Sequence, residues 1–300
     1  MRFGLPYQGS KNKIAPWIIN NLPSADVFVD LFCGGGAITH CAMLTNKYKQ
    51  FVMNDIDGRL PVLFKECAYG KHTIATHPEW ITREEFNAKK DIDAYIALVW
   101  SFGNNGRDYI YGKHIEQFKH DYHTAVYKDD TSLLKPYGYN VISSGKSDVY
   151  ERYLEFNRQI KAQGRNDLES LSRQIEIERL QSLQSLQSLQ RHYIDAMQYV
   201  NSNFNGNKLI YCDIPYNNTN CGKYGGFNHN EFYEWAEKQD NIFISEYNMP
   251  SDFICIASIQ KNVLSSANTN ALKATEKIFT NERTMNKFCD FKQYSIFDYM

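Results

Sequence analysis

The sequence predicts an α/β protein in which a mainly parallel sheet is interrupted by a long, mostly helical insertion. Short apolar runs separated by helical stretches occupy residues 1–60 and return only after Lys208, an alternation typical of parallel sheets. The stretch between them is more polar, irregular and rich in Lys, His and Asn. We therefore assign residues 1–60 and 195–300 to one domain and residues 61–194 to the insertion.

The first sixty residues read as one strand–helix–strand unit. A helix over Pro16–Leu22 is followed by a near-continuous apolar run, Val27–Phe32, as expected of a buried parallel strand. Three glycines break this run, and a second helix, Ala37–Leu44, leads to a second strand, Phe51–Asp55. The order of strand, glycine turn, helix and strand is that of a βαβ unit.

The turn between the first strand and its helix is the first candidate ligand site. Asp30 ends the strand and Gly34 to Gly36 follow, so the backbone can pass close to a ligand and the helix aims its N-terminus at it. A carboxylate at this place would repel a pyrophosphate but suits the amino group of a methionine moiety. A plain strand-to-helix turn is the alternative.

Asp55 is the second candidate, because it ends the next strand about 20 residues after the glycine turn. An acidic residue at that distance accepts hydrogen bonds from ribose hydroxyls in nucleoside-binding α/β folds. The alternative is a helix N-cap.

The strand pattern resumes late in the chain. Leu209–Asp213, Ile242–Ser245 and Phe253–Ile256 read as short strands, with a helix over Asn230–Glu237. Before them, residues 180–190 read LQSLQSLQSLQ. Leucines at a period of three drift around an α-helix, which favours a helix that packs at a changing angle over a coiled coil.

Composition narrows the possible functions. Of 300 residues, 43% are hydrophobic and 22% charged, and the formal net charge is −1, so any nucleic-acid surface must be local rather than a product of bulk charge. The seven cysteines and eight histidines show neither C-x-x-C nor H-E-x-x-H spacing, which disfavours a disulfide framework and a metal site. With no signal region and no long apolar run, we expect a cytoplasmic protein without a membrane span.

Three motifs carry a resemblance to a known family. Asp213-Ile214-Pro215-Tyr216 resembles the D-P-P-Y motif of amino methyltransferases that act on adenine, and Val29–Gly36 resembles their cofactor loop. Tyr7-Gln8-Gly9-Ser10-Lys11 is similar to their W-x-G-G-K element. The order of cofactor loop, insertion and catalytic motif resembles Dam-type DNA N6-adenine methyltransferases, especially phage-like members, over about residues 1–60 and 195–250.

This resemblance implies a Rossmann-like methyltransferase sheet and site-specific transfer of a methyl group from S-adenosyl-L-methionine to N6 of a flipped-out adenine. Asp213 and the Ile214 carbonyl would accept the amine hydrogens, Pro215 would fix the turn, and Tyr216 would stack on the base. Ile214 replaces the family's proline, a change that leaves this carbonyl in place. The residues expected at the cofactor are Tyr7, Lys11, Asp30, Phe32, Cys33, Gly34, Gly36, Asp55 and Asp213.

Other functions stay possible at this point. N4-cytosine and RNA adenine methyltransferases use similar motifs, and a catalytically weakened relative would only bind DNA. Cys33 reads as a packing residue rather than a nucleophile, because no Pro-Cys dipeptide occurs.

The insertion is expected to recognise the DNA target. Arg107, Lys113, Lys119 and Lys128 lie among Tyr109, Tyr111, Phe118 and Tyr122, an interleaving that would grip phosphates and stack bases. A solvated polar face is the alternative. The expected partners are double-stranded DNA and, in a restriction–modification system, a cognate endonuclease, with the protein a monomer.

Overall fold

The computed structural model describes residues 2–163, 168–185, 189–191, 207–216, 226–263 and 272–287. Its contacts divide the chain into two compact units. One comprises residues 11–61 and 188–300, and the other comprises residues 1–10 and 62–187. We call them the sheet unit and the insertion unit.

The sheet unit contains one mixed sheet in the order β3-β2-β1-β4-β5-β7-β6. The first five strands pair in parallel, whereas β7 runs antiparallel to both β5 and β6. This confirms the predicted α/β class and its mainly parallel sheet. The strands are β1 (Val27–Asp30), β2 (Gln50–Met53), β3 (Leu189–Arg191), β4 (Lys208–Cys212), β5 (Ile242–Glu246), β6 (Phe253–Val263) and β7 (Leu272–Asn281).

The central strands are apolar because both of their faces are covered. All four residues of β1 and all five of β5 are buried, the pattern expected inside a parallel sheet. Their side chains join one core with those of β4 and the segment that follows it. Members of that core include Val29, Leu31, Ile210, Cys212, Ile214, Phe232, Ile242 and Ile244.

The sheet order places a topological switch point between β1 and β4. From β1 the chain builds outward through β2 and β3, and then returns to the other side of β1 with β4 and β5. Open α/β sheets bind ligands in the crevice outside the carboxyl ends of the strands at such a point. The residues that follow β1 and β4 are therefore placed for a ligand.

The helices of the sheet unit begin at local signals that the sequence carries. The helix α2 (Ala37–Met43) follows Gly36, whose φ of 71° lies in the left-handed region that glycine adopts without strain. Asn228 caps the helix α9 (His229–Ala236), because its side chain accepts the backbone N–H of Glu231. Helix α1 spans Ala15–Asn21, and α3 (Arg59–Ala68) follows β2.

The insertion unit is mostly helical and has an aromatic core. The Trp80 ring stacks on Tyr111 with centroids 5.4 Å apart and meets Trp100 edge-on at 5.0 Å. Tyr109 and Tyr122 are also buried. The helices are α4 (Arg83–Lys89), α5 (Ala94–Val99), α6 (Lys113–Lys128), α7 (Val149–Ala162) and α8 (Glu169–Glu178), with 3₁₀ turns at Phe102–Asn104, Thr131–Tyr137 and Arg179–Ser185.

One predicted strand is longer than expected, and one helix prediction is wrong. The expected short strand Phe253–Ile256 is the start of an eleven-residue strand that pairs with β7. The first part of the leucine repeat forms a 3₁₀ helix over Arg179–Ser185, not an α-helix, and its last two residues, Leu189 and Gln190, belong to β3. No helix within the described ranges combines the length and apolar character that a membrane crossing requires.

Candidate active site

Strand register brings three sequence-predicted acids to the carboxyl edge of the sheet. Asp30, the last residue of β1, is aligned with Met53 on one side and Tyr211 on the other. Asp55 and Asp213 each lie two residues further along those neighbouring strands. The charges of both raise the pKa of Asp30, so the three carboxyl groups share one electrostatic environment.

Asp30 is the most deeply buried of the three. Its Oδ2 accepts a hydrogen bond from the Thr39 hydroxyl at 2.7 Å, whereas Oδ1 has no hydrogen-bond partner among the described atoms. Burial, with smaller contributions from Asp213 and Asp55, raises the pKa of Asp30 to about 7. A buried carboxylate with an unused oxygen is suited to a cationic ligand.

Asp55 is tied to the glycine turn. Its Oδ2 accepts the backbone N–H of Gly34 at 2.9 Å, and its Oδ1 accepts that of Asp57 at 2.9 Å. Gly34 has a φ of 48°, so the turn uses the freedom of glycine. Burial raises the pKa of Asp55 to about 6. Each oxygen keeps a second lone pair for a ligand hydroxyl.

Lys11 connects Asp213 and Tyr216. Its Nζ lies 2.6 Å from Asp213 Oδ1 and also donates to the Tyr216 hydroxyl. Burial lowers the pKa of Lys11, but the charges of Asp213 and Glu276 more than offset this and raise it above its ordinary value. Lys11 is therefore a fixed cation among carboxylates.

Glu276 and Tyr247 belong to the same cluster, and sequence reasoning missed both. Glu276 on β7 accepts the Tyr216 hydroxyl at 2.7 Å and that of Ser245 at 3.2 Å. The Tyr247 ring packs against the Tyr216 ring with centroids 4.4 Å apart. No motif marks these positions, since both lie in or beside strands without a recognisable turn.

The segment that follows β4 is held in place on two sides. The Ile214 side chain is buried in the sheet core, so the residue that replaces the family's proline adds apolar contact. The Pro215 carbonyl accepts a hydrogen bond from His229 Nε2 at 2.8 Å. These contacts fix the turn that carries Asp213 and Tyr216.

The remaining predicted cofactor residues lie in different settings. Phe32 packs edge-on against Phe227 and Phe232. Cys33 is buried, and burial raises the pKa of its thiol, which disfavours a nucleophile and suits the packing role. Tyr7 belongs to the insertion unit and accepts the backbone N–H of Ser10 through its carbonyl.

The four basic residues predicted to bind DNA separate into two groups. Arg107, Lys113 and Lys128 are exposed. Lys119 is 2% exposed and lies 3.0 Å from a Glu169 carboxylate oxygen, which does not suit a phosphate contact. Its neighbours on the same stretch, Tyr109, Tyr111 and Tyr122, are buried in the aromatic core rather than placed to stack on bases.

Comparison with known proteins connects this geometry to a reaction. A family model described as D12 class N6 adenine-specific DNA methyltransferase matches residues 7–287. That span covers the sheet, the glycine turn, the insertion and the segment from Asp213 to Tyr216. No individual curated protein matches the chain.

Proposed function

The chain belongs to the D12 class N6 adenine-specific DNA methyltransferase family, and we propose that the acidic edge of its sheet is where methyl transfer takes place. The activity is site-specific methylation of adenine N6 in DNA. The observation that supports this location is the convergence of Asp30, Asp55 and Asp213 at the switch point. Lys11 is hydrogen-bonded there to both Asp213 and Tyr216. Nothing supports N4-cytosine or RNA methylation, or a catalytically weakened relative.

The methyl donor that fits this edge is S-adenosyl-L-methionine. The unused Oδ1 of Asp30 would take up its ammonium group, and Asp55 would accept its ribose hydroxyls. Ile56, next to Asp55, is 82% exposed and offers an apolar surface to the adenine ring. When bound, this cofactor supplies a methyl group on a positively charged sulfur.

The charge balance of the edge also favours a cationic ligand. The buried Lys11 pairs with Asp213 and Glu276, whereas the charges that act on Asp30 are those of two further carboxylates, Asp213 and Asp55. Burial holds the pKa values of Asp30 and Asp55 above their ordinary range, which reflects carboxylates without enough positive partners. A ligand that brings positive charge supplies those partners.

Asp213 and the Ile214 carbonyl act on the target amine. Its lone pair is delocalised into the base, and two acceptors on its N–H bonds favour a pyramidal nitrogen that frees the pair. The pair would form the new N–C bond as the S–C bond to the same methyl group breaks and leaves a neutral thioether, and the nitrogen would then release one proton to water. Preorganised acceptors supply much of the rate in such a reaction.

Tyr216 provides the aromatic surface for the extruded base. Its hydroxyl lies between Lys11 and Glu276, so the ring cannot rotate away. Burial, together with the charges of Asp213 and Glu276, raises the pKa of this hydroxyl. It therefore stays protonated and keeps donating to Glu276.

The insertion unit would recognise duplex DNA through its exposed basic residues. Lys113 and Lys128 are the first and last residues of α6, about 22 Å apart at 1.5 Å per residue. With Arg107 they form the DNA contact that we propose, and the buried Lys119 is omitted. A monomeric state, a cytoplasmic location and a partner endonuclease stay predictions from the sequence.

The test is tritiated methyl transfer to DNA from a methylation-free host under single-turnover conditions. Asp213→Ala should slow transfer by about 10²–10³, because one preorganised electrostatic partner is lost. Asp252→Ala removes an exposed aspartate of the same unit and should transfer at the parental rate. If a folded Asp213→Ala protein keeps that rate, the catalytic site is elsewhere.

A further inference from the structure

Glu276 is a buried carboxylate to which the proposed mechanism gives no role beyond accepting the Tyr216 hydroxyl. It lies on β7, its side chain is 0% exposed, and its Oε1 is 3.5 Å from Lys11 Nζ. The same oxygen accepts the hydroxyls of Tyr216 and Ser245. Two of these partners, Lys11 and Tyr216, are in contact with each other, and the third, Ser245, lies on β5.

Burial separates the roles of the two carboxylates that flank Lys11. The Asp213 side chain is 23% exposed and can meet a ligand. Glu276, which is completely enclosed, can act only through the side chains it touches. An enclosed charge is costly unless it is paired and hydrogen-bonded, and the partners that meet this need are Lys11, Tyr216 and Ser245.

Because Lys11 pairs with both Asp213 and Glu276, the net charge around Asp213 is negative. A lysine paired with Asp213 alone would neutralise it, whereas one lysine between Asp213 and Glu276 leaves the three groups with a net charge of −1. Positive charge builds on the amine nitrogen as it is methylated. A net negative cluster stabilises that charge, since electrostatic effects are strong in a water-poor site.

Glu276 also anchors the aromatic surface. The Tyr216 hydroxyl donates to it at 2.7 Å, and the Ser245 hydroxyl, on the neighbouring strand β5, steadies the same oxygen. Tyr216 therefore has a fixed acceptor inside the sheet rather than in solvent.

We propose that Glu276 is a positioning residue for methyl transfer, which holds Lys11 and Tyr216 and thereby sets the charge and placement of Asp213. The proposal rests on the catalytic role of Asp213 proposed above. Glu276 does not contact the substrate.

Two substitutions separate its charge from its hydrogen bond. Glu276→Gln keeps an acceptor for Tyr216 and Ser245 but removes the charge, and Glu276→Met removes both. We expect kcat to fall about tenfold in Glu276→Gln and further in Glu276→Met. The KM values for DNA and cofactor should stay within about threefold, because neither ligand touches this residue.

A second readout does not depend on turnover. In a duplex with 2-aminopurine at the adenine that the parent enzyme methylates, mapped beforehand by sequencing, fluorescence rises when the base leaves the stack. Glu276→Gln should keep this rise, because Tyr216 stays anchored. Glu276→Met should lose at least about half of it.

The matched control is Thr280→Val on the same strand. Thr280 is buried, and its hydroxyl donates to the Ile242 carbonyl, so this variant loses a buried hydrogen bond of β7 away from Lys11. It should melt at a lower temperature but transfer methyl groups within about twofold of the parent. Equal slowing in Thr280→Val and Glu276→Gln would reduce Glu276 to a structural residue and overturn the proposal.

Coupling to Lys11 provides the sharpest check. If Glu276 acts through Lys11, Glu276→Gln should slow transfer less in a Lys11→Met background than in the parent. An identical factor in both backgrounds, or parental kcat and fluorescence in both Glu276 variants, overturns the proposal. If those variants do not fold, Tyr216→Phe breaks the same link, and parental kcat and fluorescence in it count equally against the role.

The Asp213→Ala protein distinguishes failure of this proposal from failure of the site. If Asp213→Ala is inactive and Glu276→Gln is not impaired, only the positioning role is wrong. If Asp213→Ala is active, the location of the catalytic site is wrong as well.

Discussion

Asp30 shows how the burial of a single carboxyl group costs stability. Its burial raises its pKa to about 7, so at neutral pH the folded protein holds a carboxylate that would ionise far more readily in the unfolded chain. An acid whose pKa is raised by folding contributes stability that is fully present below its unfolded pKa. That stability is lost as pH rises through the folded pKa.

We predict that Asp30→Asn stabilises the protein increasingly as pH rises. Asparagine keeps an oxygen for the Thr39 hydroxyl but carries no charge. The gain in melting temperature over the parent should therefore grow between pH 5 and pH 8, by on the order of 5 °C. The same variant should bind S-adenosyl-L-methionine more weakly in calorimetry, because the partner of the ammonium group is neutral.

Asp91→Asn, which removes an exposed aspartate, is the control for loss of one negative charge. The melting temperature of Asp91→Asn should match that of the parent at both pH 5 and pH 8. A constant offset between Asp30→Asn and the parent across this range would contradict the raised pKa of Asp30.

The acidic residues of the candidate site could be predicted from the sequence where they lie at strand ends, but not where one lies in the middle of a strand. Asp30, Asp55 and Asp213 each follow an apolar run, and register brings strand ends to one edge. Glu276 stands mid-strand between Thr275 and Lys277, where alternation does not reveal which polar side chain points inward. The structure shows that Glu276 is the enclosed one, because its side chain is completely buried and accepts the hydroxyl of Ser245 on β5.

At the scale of elements, the leucine repeat shows how period selects helix type. Leu180 and Leu183 are both buried on the 3₁₀ helix Arg179–Ser185. A 3₁₀ helix has 3.0 residues per turn, so leucines three apart share one face, whereas on an α-helix the same spacing drifts. The three-residue spacing of the leucines is visible in the sequence. The α-helix prediction is wrong because it assumes 3.6 residues per turn. The later repeats at residues 186–188 lie outside the described residues.

We predict that this face is required for stability. Leu183→Ala should lower the free energy of unfolding by about 2–5 kcal/mol, the range for a buried leucine. Ser182→Ala, one position away and exposed, should change it by less than about 0.5 kcal/mol. Denaturant unfolding of both variants checks this, and similar losses in the two would show that the repeat does not pack through its leucines.

The long strands β6 and β7 were harder to predict because their burial is uneven. Phe253 is buried, whereas Cys255, Ser258 and Gln260 further along β6 are exposed, so the apolar pattern stops well before the strand does. A bulge between Cys255 and Ala257 shifts the register as well, which breaks the alternation from which a strand is read.

At the scale of the whole molecule, the near-neutral charge of −1 constrains how DNA is bound. Bulk attraction is weak, so phosphate contacts must come from local groups, for which we propose Arg107, Lys113 and Lys128. All three belong to the insertion unit, whereas Lys11, Asp55 and Asp213 belong to the sheet unit. With the roles that we propose for these residues, choice of site and methyl transfer would draw on different segments of the chain.

We predict that exchanging residues 62–187 for the matching segment of a family member with a different target changes the methylated site and leaves the chemistry unchanged. The sheet unit keeps Asp30, Asp55, Asp213 and Lys11 in such a chimera, so affinity for S-adenosyl-L-methionine should stay within about threefold in calorimetry. Base contacts specify the sequence, so sequencing of methylated DNA from a methylation-free host should show the donor's site. Asp213→Ala in the chimera should abolish this signal and exclude background methylation. A chimera that binds cofactor normally but still methylates the parent's site would place target recognition outside the insertion unit.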